Sequence, residues 1–171
     1  IPDFNRASGT ELVAMLKSEN GWIRDRAQQL LIFTAQRSAV PDLEKLAQSY
    51  KDTVAAIHAL HTLDGLGALS FELLQKVAAS GAPVLSAHAL LLLKKYNTTD
   101  YVDAMKKLTA DLKAKNDTVT DLYLALSLGP WAAASPDTFL PLLVQLSRAY
   151  PESAVFQEAV VSSLNGLEER F

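Results

Sequence analysis

The chain has 171 residues, 16 Lys and Arg against 19 Asp and Glu for a net charge of −3, and no cysteine. That length suits one domain with a sizeable core of its own. The charge balance argues against a nucleic-acid binder, which carries a basic excess, and the missing cysteine excludes disulfides, thiolate metal sites, a cysteine nucleophile and covalently attached haem c within these residues.

The densest basic stretch holds Lys94, Lys95, Lys106, Lys107, Lys113 and Lys115. Asp100, Asp103 and Asp111 interrupt it, so it reads as solvated helix faces. Its longest apolar run, residues 87–93 around His88, is too short to span a bilayer. The first residues carry no signal-peptide pattern and open on Ile1 instead of Met, so the chain is expected to be an excised piece of something longer.

Leu and Ala dominate, β-branched runs are scarce, and apolar residues recur at helical spacing, which predicts an all-α fold. Breaks are expected at residues 19–21, 38–41, 65–70, 81–83, 97–100, 129–136 and 150–151. Pro83, Pro136 and Pro151 sit where a first helical turn accepts proline, because its missing N–H has no partner there anyway. Ser70 with Glu72 and Ser135 with Asp137 have the pattern of N-terminal caps followed by first-turn acids. Together these signals predict about ten helices.

In chain order, the helices pair. Leu12/Leu16 precede "RAQQLL" at 26–31, Leu43/Leu46 precede "HALHTL" at 58–63, and Leu73/Val77 precede "HALLLL" at 88–93. Leu108/Leu112 then precede "LALSLG" at 124–129, and Leu142/Leu146 precede "EAVVSS" at 158–163. The second helix of each pair aligns on Ala27, Ala59, Ala89, Ala125 and Ala159, in steps of 32, 30, 36 and 34 residues. A helix pair recurring at that period, with a small residue where helices approach closely, describes a HEAT-like α-solenoid of about five pairs forming one domain over residues 1–171. The tetratricopeptide signature is missing.

This alignment decides how residues 57–70, "IHALHTLDGLGALS", are read. The register of His58 holds Arg26, His88, Leu124 and Glu158 in the other units; that of His61 holds Gln29, Leu91, Ser127 and Val161. A metal site needs convergent ligands with an orienting second layer, so the expectation is partly buried, hydrogen-bonded histidines, with a site shared by His58, His88 and a carboxylate as the chemical alternative. Gly65-Leu66-Gly67 follows a helix and lacks the third glycine of a dinucleotide loop; Gly65 is expected to close its helix in the left-handed conformation. No G-x-S-x-G elbow or credible triad is present, and Glu168-Glu169 and Asp100/Asp103 read as solvated carboxylates. Trp22 and Trp131 read as packing anchors. No catalytic, cofactor or metal residue is assigned, and the chain is not expected to be an enzyme in itself.

Two stretches, "ENGWIRDRAQQLL" at 19–31 and "HALHTLDGLGAL" at 58–69, go beyond generic repeat character. They resemble the HEAT-like segment of large bacterial proteins loosely called membrane-bound dehydrogenases. The matching positions are Asn20-Gly21-Trp22, Arg24, Ala27-Gln28 and Leu30-Leu31, then His58-Ala59-Leu60, Thr62-Leu63 and Gly65-Leu66-Gly67. The family favours an aromatic residue where His61 stands, which suggests a packing position.

In that family the repeats lie between a sorbosone-dehydrogenase-like β-propeller and a cytochrome c domain. The resemblance therefore implies haem c only in a separate domain and a periplasmic or otherwise extracytoplasmic setting. The expected role is a non-catalytic scaffold contacting neighbouring domains or another protein, with no nucleic acid and no membrane insertion. Candidate interaction residues are Arg24, Asp25, Gln28, Gln29 and His61, with Gln28→Ala expected to be nearly silent. The last helix offers Val155, Phe156, Val160, Leu164 and Leu167, more than one buried stripe needs, so part of it is expected to stay sticky. The alternative is a HEAT-like base-excision or nucleic-acid-binding enzyme, which would need a basic face that the composition does not supply.

Overall fold

The computed structural model describes residues 3–4 and 6–171. Among them are eleven α-helices, four short 3-10 turns and no strand, so the protein is all-α. Its backbone divides into two compact units, Ile1–Leu73 and Leu74–Phe171.

The first unit contains α1 (Gly9–Met15), α2 (Gly21–Phe33), α3 (Val40–Ala47) and α4 (Thr53–Gly65); α5 (Phe71–Ala78) spans the junction. Side chains set the helix starts. Ser8 and Glu11 form a reciprocal capping box on α1, Asn20 accepts the Trp22 N–H at 3.0 Å, and Asp52 accepts the Ala55 N–H at 3.2 Å. Ser70 accepts the Leu73 N–H at 3.2 Å, as its position predicts.

Here α1 packs on α2, α3 packs on α4, and α2 lies beside α4. The last two run parallel, since Gln28 of α2 meets His58 of α4 while Ile32, one turn further on, meets Gly65. A Cβ added to Gly65 would fall 2.6 Å from Ile32 Cδ1. Gly65 thus ends α4 in close contact, and Gly67, at φ +61°, supplies the left-handed residue instead.

The second unit continues with α6 (Pro83–Leu93), α7 (Val102–Lys113), α8 (Thr118–Ser127), α9 (Gly129–Ala134), α10 (Pro136–Ala149) and α11 (Ala154–Ser162). Pro83 and Pro136 occupy first turns as expected, but Pro151 lies in the turn before α11. Ser135 stands at the N-cap of α10, yet its hydroxyl donates to Thr138 Oγ1 and accepts no backbone N–H. Residues 129–134 form the short helix α9, which buries Trp131 against Phe139 at 5.8 Å between ring centroids.

In this unit α6 adjoins α8, and α8 adjoins α11. Ahead of the first pair, Lys115 Nζ donates to the Ala79 carbonyl at 2.7 Å; beyond it, Asn97 Nδ2 donates to the Pro130 carbonyl at 3.1 Å. Contacts at both ends fix α6 and α8 as parallel. Ser163, the C-cap of α11, donates to the Ala125 carbonyl near the end of α8, so those two are parallel as well. Gly129 permits the close approach, because a Cβ there would lie 3.1 Å from Ser163 Cα.

Ala27, Ala59, Ala89 and Ala125 are 0% exposed and Ala159 4%. The paired first-helix residues are buried too, except Leu142, which is half-exposed while Phe139, Leu143 and Leu146 take the core positions of α10. No helix among the described residues is long and apolar enough to cross a membrane.

Candidate interaction surface

The polar centre of the first unit is His58. Arg24 Nε donates to His58 Nε2 at 3.3 Å, and His58 Nδ1 lies 2.6 Å from Gln28 Oε1. Arginine has no acceptor, so Nε2 accepts and Nδ1 carries the hydrogen that Gln28 receives. Both partners therefore favour the neutral ring. Burial holds the His58 pKa below its ordinary value, the Arg24 charge adds to that, and Asp25 opposes it. Arg24 also donates to the Ser18 carbonyl at 2.7 Å and to the Glu19 carbonyl at 3.1 Å, tying the α1–α2 turn to α4 through the imidazole. This is a hydrogen-bonded, half-buried histidine of the kind the sequence predicts.

The five predicted surface residues separate into two groups. Arg24 and Gln28 are half-buried and bonded to His58, whereas Asp25 and Gln29 are exposed and His61 is half-exposed. Asp25, Gln28 and Gln29 do line one shallow groove of about 250 Å³ along α2, completed by Ile32 and Phe33. Arg24 and His61 are not among its lining residues. Because Gln28 has a partner at 2.6 Å, Gln28→Ala is no longer expected to be silent.

Trp22 is no buried anchor: it is 59% exposed and meets Phe4 edge-on at 5.6 Å. Its exposure belongs to a series. Trp22, Val54, Val84, Val119 and Val155 each stand second in α2, α4, α6, α8 and α11, and each is 41–59% exposed. The first three lie five residues before Ala27, Ala59 and Ala89, a repeat spacing that could have revealed them in the sequence. Of the residues expected to be sticky in part, Phe156, Val160, Leu164 and Leu167 are buried and Val155 is exposed; Val161 is the other large apolar residue exposed on α11.

A second polar cluster stands in the other unit. Asp121, 1% exposed on α8, accepts from Lys113 Nζ at 2.6 Å and from the Tyr150 hydroxyl at 2.9 Å, both at Oδ2. Its Oδ1 is buried without a hydrogen-bond partner among the described residues. Burial, and then the bond to Asp121, push the Tyr150 hydroxyl above its ordinary pKa. Tyr150 stacks on Phe156 at 3.8 Å, and Gln157 donates to the Ser147 and Tyr150 carbonyls, closing the turn between α10 and α11. No charge pattern along the chain hints at this cluster. Among the described residues, no three His, Asp or Glu side chains gather as metal ligands.

The chemistry present is that of polar clusters tying helices together in an all-α protein. No family model, curated protein or solved structure matches the chain.

Proposed function

We propose that the protein is a HEAT-like α-solenoid acting as a non-catalytic scaffold, whose second helices contact neighbouring domains or a partner protein. The observation that carries this reading is the exposed apolar residue at the second position of α2, α4, α6, α8 and α11. Exposed apolar side chains scattered singly need no explanation, but recurrence at one helical position in every repeat does.

The repeat geometry has support of its own. Six long-range side-chain bonds among the described residues join positions 29 to 38 apart: Tyr150 to Asp121 at the short end, Ser163 to Ala125 at the long end, and Gln28–His58, Arg24–His58, Asn97–Pro130 and Lys115–Ala79 between. Each reaches one repeat away, the nearest-neighbour contact expected of a solenoid.

The resemblance to bacterial membrane-bound dehydrogenases gives the proposal its setting: an extracytoplasmic redox protein whose haem c lies in a separate domain. The test begins with the coding sequence on either side of this chain. Adjacent domains are produced and titrated against it, with Trp22→Ser/Val54→Ser as the surface variant. Saturable binding that weakens at least about tenfold in the variant, roughly 1.4 kcal/mol, is the expected result. No binding to any adjacent domain would overturn the interdomain role, and a Trp22→Ser/Val54→Ser variant that binds as the parent does would overturn the second-helix surface.

A further inference from the structure

The first helices carry a repeated feature of their own. In the first unit α1 and α3 border a groove of about 310 Å³, and in the second α7 and α10 border one of about 290 Å³. Both are built on one register. Thr10, Val13 and Ala14 of α1 line the first at i, i+3 and i+4, and Lys17, in the turn that follows α1, stands at i+7. Lys106, Thr109, Ala110 and Lys113 line the second from α7 at the same spacing. Leu46 of α3 and Leu142 of α10 hold corresponding places on the facing wall.

The floors are closed and the rims open. Val13 and Leu46 are buried in one groove, Thr109 and Phe139 in the other, while Ala14 and Ala110 are exposed. An alanine at that point of each wall leaves space that a larger side chain would fill.

Charge around the grooves is one-sided. Four ammonium groups line them, from Lys17, Lys45, Lys106 and Lys113, against the single carboxylate of Asp42. Asp42 accepts from the Thr10 hydroxyl at 3.2 Å, and Lys113 is held by Asp121. A positive surplus therefore remains in both: Lys17 and Lys45 over Asp42, and Lys106.

Small-molecule pockets run about 300–1,000 Å³ and enclose most of their ligand, so two open grooves at the lower limit suit single side chains of a larger partner. Rows at i, i+3, i+4 and i+7 on two helices also make the trough into which the ridge of a third helix packs.

We propose that these grooves dock an amphipathic, acidic helix of a partner protein, with a leucine-sized side chain over Ala14 or Ala110. A carboxylate about one turn away meets Lys17 in the first groove and Lys106 in the second. This inference rests on the scaffold reading, but it uses the first helices where that reading uses the second.

The test is a displayed library of helical 16-residue peptides, selected on the full chain and counter-selected on Ala14→Trp/Ala110→Trp. Both alanines are exposed, so tryptophan fills the grooves without entering the core, and a thermal melt checks the fold. Enrichment of peptides pairing a large aliphatic residue with Asp or Glu one turn away is expected. Their affinity should fall at least tenfold on the tryptophan variant and on Lys17→Glu/Lys106→Glu. No enrichment, enrichment without acidic residues, or equal binding to the tryptophan variant would overturn the proposal. So would groove-dependent binding to anionic phospholipid vesicles with no peptide selected. Trp22→Ser/Val54→Ser should leave selected peptides bound, which separates failure here from failure of the second-helix surface.

Discussion

The two units solve the same problem with different chemistry. Each ties neighbouring helices through a polar cluster, but the first uses a neutral imidazole between Arg24 and Gln28, and the second a carboxylate holding Lys113 and Tyr150. The first is half-buried and keeps its arginine bonded to backbone carbonyls. The second takes a carboxylate almost wholly out of water and leaves one oxygen without a protein partner. The lesson is one of cost: a neutral ring loses little when a partner is removed, whereas a buried charge loses much.

The largest effect should therefore come from the second unit. Asp121→Ala leaves the Lys113 ammonium without its counter-ion and the Tyr150 hydroxyl without its acceptor. Breaking a buried pair this way costs about 3–5 kcal/mol. Lys113→Met/Asp121→Leu, which removes both charges, should recover much of that loss. Urea melts of the variants check this, and a single variant melting like the parent would erase the contrast between the units.

Next come the alanines that let neighbouring helices approach. Ala59→Leu and Ala125→Leu each overpack a site of 0% exposure and should cost about 1–3 kcal/mol. Equal losses would mean that the units share their packing even where their polar chemistry differs. Unchanged melting temperatures would show the repeat register to be misplaced.

The first cluster should respond to single deletions and to acid more gently. Gln28→Ala removes one neutral hydrogen bond, for about 0.5–1.5 kcal/mol. Because the folded His58 pKa is depressed, the unfolded chain takes up the proton first. The contribution of His58 to stability is thus complete above its reference value of 6.5 and declines as pH falls from there through the folded value. Stability measured across that window should decline less in His58→Leu than in the parent, and equal slopes would count against the neutral-ring assignment. Smallest of all, Gln29→Ala at an exposed position should shift stability by no more than about 0.5 kcal/mol.

The sequence made the breaks between helices visible where glycine and proline punctuate it, and hid them where other residues do that work. The turns before α4 and α8 contain neither glycine nor proline; Asp52 and Asp117 cap the helices, and Asn116 takes φ 53°. Conversely, "GPWAAA" looks like a break, although its proline sits in the first turn of a helix pinned by Trp131. His58 was legible as a bonded histidine, but its partners were placed at the surface. Their separations of 34 and 30 residues, one repeat each, were the available clue. Asp121 was illegible for a different reason: Lys113 lies eight residues away on another helix and Tyr150 beyond the next. No periodic pattern on one helix joins three such positions.

The reach of the polar ties, 29 to 38 residues, also bears on how such a chain can change length. A bond that never extends past the adjacent repeat has no partner to lose when more distant repeats are copied or deleted. An in-frame duplication of one helix pair would keep the ties at its two outer borders and leave only the new junction between the copies without one. Point insertions inside a pair would instead shift one side of a tie against the other. Copy number is then easier to alter than repeat length, so the same gene should drift by whole pairs far more readily than by single residues.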